Sequence, residues 1–115
     1  MKVKAITEIE LDPLEMKEYM YEAARELDET FYEKLIQAPA YGDKFDEWES
    51  EINNYLTIFE SQDDYDFADF ILCTAWYDGT AKESICKKWL DLCGNNKIKP
   101  LLEECVKNHI SLTWQ

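Results

Sequence analysis

Four cysteines and one histidine are the residues of this chain best suited to binding a metal or attacking an electrophile: Cys73, Cys86, Cys93, Cys105 and His109. On a helix, Cys105 and His109 would share a face at four-residue spacing, as would Cys86 and Cys93 at seven. Thiolates and imidazole in such positions are zinc ligands. Yet the spacing C-x12-C-x6-C-x11-C contains no C-x2-C knuckle. Each cysteine also falls near an apolar stripe, where a free thiol packs as a small hydrophobe. No metal is therefore expected, and His109 reads as a surface or capping residue near a helix end. No nucleophile sits beside His109 in sequence. The three glycines form no phosphate-binding loop. The run "DDYDFAD" lacks the central Gly and the twelfth-position Glu of a calcium loop. Paired carboxylates serve glycosidases, but nothing selects two from the 25 Asp and Glu present. The expectation is a chain that is not an enzyme and needs no cofactor.

The carboxylates have a pattern of their own. In "EYMYEAARELDETFYE", Glu18, Glu22, Glu26, Glu29 and Glu33 recur at three- and four-residue steps, and Glu15 extends the row. Read as one helix, this face sets Glu against Glu where exposed helices usually alternate Glu with Lys. Five such neighbours, at roughly 0.2–0.5 kcal/mol each, cost about 1–2.5 kcal/mol at low salt. Arg25 relieves Glu22 and Glu29, and the dipole favours Glu15 and Glu18 near the helix start. Asp43, Glu47 and Glu51 repeat the spacing downstream, and Glu60, Asp63, Asp64, Asp66 and Asp69 cluster beyond them.

The totals frame that pattern. A chain of 115 residues is one domain in length, and 46% hydrophobic content is enough for a core. The net charge of −13 opposes direct binding to nucleic acid or an anionic membrane and favours a basic partner. Residues 1–78 carry 21 acidic and 6 basic side chains, whereas residues 79–115 carry 4 and 6. Either two faces have different roles, or the C-terminal third is more buried. No apolar stretch approaches a membrane span or a secretory leader, so a cytoplasmic location with reduced thiols is expected.

These residues need elements to hold them. "KVKAITEIEL" alternates, with Val3, Ala5, Thr7, Ile9 and Leu11 on one face and Ile6 as the exception, which reads as one half-buried strand. Asp12, Pro13 and Glu15 form a helix start with a capping box. That helix runs to about Gln37, with Met16, Met20, Ala23 or Ala24, Leu27, Phe31 and Leu35 inward. "APAYGD" breaks the chain, and Asp43 caps a second helix to about Glu60, burying a face from Phe45 to Phe59. "FADFILCTAWY" fits helix or strand. Helix is favoured, capped by Asp63 or Asp64 and stopped at Asp78-Gly79. Thr80 and Glu83 suggest a capping box for a helix ending at Gly94, with Ile85, Cys86, Trp89, Leu90 and Cys93 inward. Pro100 opens a last helix through Val106, and "ISLTW" forms a strand that pairs with the N-terminal one.

The expected architecture is α+β and mainly α: about five helices with a two-stranded sheet formed by the N- and C-terminal strands, in a single domain spanning 1–115. The expected function is inhibition. Carboxylates on successive turns stand about 4.5–6 Å apart along a helix axis, close to the interval of phosphates along a strand. A rigid row can occupy a Lys/Arg groove built for DNA or RNA. In type, though through no shared motif, the chain resembles the small acidic phage and mobile-element proteins that block restriction or CRISPR nucleases. The partner expected is thus a basic nucleic-acid-binding protein, such as a nuclease of a defence system. It would be bound through Glu15, Glu18, Glu22, Glu26, Glu29, Glu33, Asp43, Glu47 and Glu51. Two other classes compete. One is an immunity- or antitoxin-like inhibitor of a basic toxin, anchored by Tyr41, Asp43 and Trp48. The other is a structural or assembly protein, dimeric through the N-terminal strand.

Overall fold

Asp12 and Pro13 open a helix as their types dictate. The Asp12 carboxylate accepts a hydrogen bond from the Leu14 amide at 2.8 Å, and Pro13 stands where no N–H is needed. In the computed structural model, which describes residues 1–115, this helix is α1, Pro13–Leu27. It is followed by α2 (Glu29–Leu35), α3 (Asp43–Tyr55) with a 3-10 turn at Leu56–Ile58, α4 (Gln62–Cys73), α5 (Glu83–Leu92) and α6 (Lys99–Asn108). The strands are β1 (Lys2–Lys4), β2 (Glu8–Glu10), β3 (Gly79–Ala81) and β4 (Leu112–Trp114). They form one antiparallel sheet in the order β2-β1-β4-β3. The mainly helical α+β class holds, but there are six helices rather than five and four strands rather than two.

The terminal strands do pair, within one chain. Val3 faces Trp114 and Lys4 faces Thr113. Lys2 and Gln115 exchange backbone hydrogen bonds at 2.9 and 3.0 Å. The single N-terminal strand is corrected to a hairpin, β1 turning into β2 with Val3 opposite Ile9. Ile6, the one residue out of phase, lies in the turn and is 63% exposed. The alternation resumes in phase after the turn, so the two short strands imitate one long one. The third and fourth strands extend the sheet on the other side. Gly79 in β3 lies against the Trp114 ring, where a Cβ would meet Cζ2 at 2.6 Å, so any larger residue would displace the indole.

Helix boundaries shift for local reasons. The long first helix is broken at Asp28, whose extended backbone ends α1. Its carboxylate caps α2 by accepting from the Phe31 amide at 2.8 Å. The hydrophobic stripe runs on through the break, since Met16, Met20, Ala23, Ala24, Phe31 and Leu35 are all buried. Periodicity therefore conceals the cap. Gly42, with φ 87°, starts α3, so Asp43 is its first helical residue and not its cap. Ser61, not Asp63 or Asp64, caps α4, which ends at Cys73 rather than at Asp78-Gly79. Thr80 lies in β3 instead of a capping box, and Lys82 precedes α5 without a side-chain cap. Glu15 closes no capping box either; its carboxylate turns to Lys97 and Tyr19.

The core lies where α5 and α6 meet α4, α1 and the sheet. Trp89 is fully buried there among Phe67, Phe70 and Trp114, with ring centroids 5.8–6.3 Å apart. Edge-on and tilted contacts of this kind suit the aromatic quadrupole. Trp114 donates its indole N–H to the Ala75 carbonyl at 3.2 Å, whereas the Trp89 Nε1 is buried without a partner.

Candidate interaction surface

The nine carboxylates expected to face a partner do not form one row. Glu15, Glu18, Glu22 and Glu26 lie on α1, while Glu29 and Glu33 lie on α2, beyond the break at Asp28. Asp43, Glu47 and Glu51 lie on α3. Two hydrogen bonds from aromatic side chains tether α3 to α2 and to the break before it. The Trp48 indole donates to the Lys34 carbonyl at 2.8 Å, and the Tyr55 hydroxyl donates to the Asp28 carboxylate at 2.9 Å. Asp28 thus caps α2 and anchors α3 with the same oxygen. Burial and that hydrogen bond push the Tyr55 hydroxyl above its ordinary pKa.

The carboxylates also differ in what they touch. Glu15 is half-buried and meets Lys97 at 3.1 Å; the pairing raises the Lys97 pKa. Glu29 meets Arg25 at 3.8 Å, and Glu51 meets Lys34 at 3.2 Å. Glu18, Glu22, Glu26, Glu33, Asp43 and Glu47 are exposed and pair with no cation. Arg25 bonds Glu29 and leaves Glu22 free. Within α1, the like-charge neighbours left without relief are Glu18–Glu22 and Glu22–Glu26, a cost of about 0.4–1 kcal/mol at low salt. The repulsion is therefore smaller than a continuous row implies. What distinguishes the face is its lack of partners.

The charge asymmetry has a structural side. Cations of the C-terminal third reach back to upstream carboxylates: Lys88 meets Asp64 at 2.6 Å, and Lys97 meets Glu15. The same third also buries Trp89, Ile98, Leu101, Leu102 and Trp114, so it is both charge-compensating and core-forming.

The thiols are separated by burial. Cys86 and Cys105 are fully buried in contact with each other, and Cys86 donates to the Ala81 carbonyl at 3.2 Å. Burial, reinforced by the Cys86 thiol, pushes Cys105 up to about 12, which suppresses thiolate chemistry. Cys73 is exposed beside Asp69, at 3.6 Å, and partial desolvation of its sulfur, then the nearby Asp69 carboxylate, raises its pKa too. His109 ends α6 in the left-handed region at φ 56°, exposed, with Nδ1 2.7 Å from Glu83. It is a capping residue, as its position near a helix end implies, and it is not grouped with Cys105. No cluster of three His, Cys, Asp or Glu side chains is arranged to hold a metal ion. No helix is long and apolar enough to cross a membrane.

Sequence reasoning missed two features. One is the role of Asp28, which stands in the acidic stretch but off the Glu row, where spacing assigns it nothing. The other is an apolar groove between α1, α3 and the end of α4, edged by the turn at residues 36–40. Its lining residues come from four separate segments, so no window of sequence displays them together. No protein-family model, curated protein or solved structure matches this chain.

Proposed function

We propose that this chain is a non-enzymatic inhibitor that binds a basic nucleic-acid-binding protein by presenting carboxylates in place of phosphates. The observation that carries the reading is the run Glu18, Glu22, Glu26 on the exposed face of α1, spaced by single turns and unpaired. Nearby cations are drawn to Glu15, Glu29 and Glu51, which leaves these three available. Docking a Lys/Arg groove on them would release the counterions of both surfaces and depend steeply on salt. Glu33, Asp43 and Glu47 supply further unpaired charge on α2 and α3. A nuclease of a defence system is the partner class with such a groove, and the cytoplasm is where the two would meet.

The test is Glu18, Glu22 and Glu26 replaced together by Gln. A basic protein retained from a cell lysate by the wild-type chain should be displaced by duplex DNA or RNA. The triple variant should retain it less tightly and with a flatter salt dependence. Equal retention by both proteins at low and high salt would make the row a solvated face.

A second reading, the immunity- or antitoxin-like inhibitor, draws on Tyr41, which is 86% exposed beside Asp43. Trp48 does not serve it as a free anchor, because its indole is half-buried and bonded to Lys34. Assembly through the N-terminal strand has less support. The edge that the N-terminal hairpin offers is β2, where antiparallel self-pairing would set Glu8 and Glu10 against each other.

A further inference from the structure

The groove beside the acidic face has a volume of about 950 Å³, near the upper end of the ~300–1,000 Å³ typical of ligand sites. Its lining is predominantly apolar. Met20, Leu35 and Ile71 form buried parts of the wall, and Phe45, Trp48 and Trp76 add aromatic surface. Ile36, at 52% exposure, and Ala38 and Ala40 stand in the turn that edges it. Charges of both signs stand around it. Glu49 lies in its lining and is ion-paired to nothing. A second hollow, lined by Glu18, Glu22 and Arg25, shares Lys17 and Tyr21 with it, so groove and acidic face are continuous, and Arg25 is drawn off to Glu29. Lys17 also lacks a carboxylate; its ammonium lies over the Trp76 ring at 4.6 Å and the Tyr21 ring at 5.4 Å.

We propose that this groove takes a cluster of apolar side chains from a basic protein partner, whose flanking Lys or Arg residues lie over Glu18, Glu22 and Glu49. The proposal rests on the acidic face being the docking surface and adds the chemistry of the occupant. An apolar anchor ringed by complementary charge is the usual anatomy of a protein–protein hot spot. The volume exceeds what one side chain fills, so the occupant is an amphipathic segment. A second copy of this chain is the wrong sign, since each carries −13. A small apolar carboxylate would have to pair with Lys17. A basic segment would instead be repelled by Lys17, so the two occupants predict opposite effects of removing that charge.

The probe is a synthetic amphipathic helix of Leu and Lys, about 18 residues and thus long enough to form a helix on binding. The control peptide has the same composition, scrambled to leave no apolar face. Each is titrated into the 15N-labelled full chain while the Trp48 and Trp76 indole signals and the Ile36, Ala38 and Ala40 amides are followed. The amphipathic peptide should shift these signals saturably and bind about tenfold tighter than the control, a difference of about 1.4 kcal/mol. Lys17→Gln should tighten it about two- to fivefold, as loss of a half-buried like charge allows. Ala38→Arg with Ala40→Arg, both in an exposed turn, should weaken it at least about tenfold while signals elsewhere stay put. Equal binding of both peptides, or shifts confined to α1, would overturn the proposal. So would decanoate saturating the groove signals with Lys17→Gln weakening it, or groove signals that move with protein concentration alone. The triple Gln variant reports separately on the parent reading: its failure to weaken lysate capture rejects the acidic row and leaves the groove titration standing.

Discussion

α3 and α5 are both amphipathic helices, yet they are anchored very differently. α3 has 13 residues and one buried side chain, Ile52. α5 has 10 residues and buries Ile85, Cys86 and Trp89. α3 carries Asp43, Asp46, Glu47, Glu49 and Glu51 against a single Lys44, whereas α5 offsets Glu83 and Asp91 with Lys87 and Lys88. The charge surplus therefore rides on the part of the molecule with the thinnest core. The lesson is a division of labour: α1, α4, α5, α6 and the sheet hold the core, whereas α3 and the outer faces of α1 and α2 carry the unpaired carboxylates. Local opening should follow the same division, with α3 amides exchanging at lower free energy than those of α5 and α6.

The largest expected effect is at Trp89. Trp89→Ala should cost about 3–5 kcal/mol by emptying the aromatic cluster, seen as a lower denaturation midpoint for the whole chain. Trp89→Phe should cost much less, because it also deletes an N–H buried without a partner. Ile52→Ala, at about 2–4 kcal/mol, should instead act first on α3, lowering its exchange protection while α5 and α6 keep theirs. If Ile52→Ala and Trp89→Ala depress protection everywhere alike, the two regions unfold as one and the division fails.

Asp28→Ala comes next. It removes a helix cap, about 1 kcal/mol, and leaves the Tyr55 hydroxyl without its acceptor, roughly another 1 kcal/mol. The loss should fall on α2 and α3, measured as amide exchange in residues 29–55. Asp28→Asn, which keeps an acceptor oxygen, should restore most of it. A uniform loss across α5 and α6 would show that Asp28 belongs to the central core instead.

These residues also show what a sequence can reveal. The apolar stripes were legible because burial follows the helical period: Met16, Met20, Ala23, Ala24, Ile85, Cys86 and Trp89 are buried as their spacing implies. The strand pairing of the termini followed from alternation and from the need to satisfy backbone groups. The break at Asp28 was hidden because the same stripe continues on both sides. β3 was hidden because Gly79-Thr80-Ala81 has no strand pattern and depends on Trp114 and Thr113 across from it. The acidic residues themselves were legible, but their pairing was not. Lys97 is 82 positions from Glu15, and no spacing rule joins them. The groove was illegible for the same reason.

A smaller effect tests the acidic face for stability. Glu22→Gln with Glu26→Gln removes the like-charge neighbours of α1 that no cation relieves. Stability at low salt should rise by no more than about 1 kcal/mol, and the gain should shrink as salt is added. A loss of stability would mean that these carboxylates hold structure, which would weaken their assignment to a partner.

The smallest effect is local and depends on pH. Glu104, in the C-terminal third, ties distant segments together through hydrogen bonds from Thr7. One of its oxygens accepts from the Thr7 amide at 2.7 Å and the other from the Thr7 hydroxyl at 2.6 Å, pinning the β1–β2 turn to α6. The Thr7 hydroxyl, then the Thr7 amide, hold its pKa below the ordinary value of 4.5. Because the folded value is depressed, the contribution to stability is fully present above the unfolded pKa. It disappears as pH falls through the lower, folded one. Below pH 4.5, then, the turn should loosen while the paired residues of β1 and β4 hold. The Thr7 amide proton shift should move upfield with the titration of Glu104. Glu104→Gln should place that shift near its acid value at every pH and leave the pairing of Val3 with Trp114 intact. If the Thr7 amide keeps one shift from neutral to acid pH in the wild-type chain, the pin is not maintained by the charged carboxylate, and the hairpin is held by its strand pairing alone.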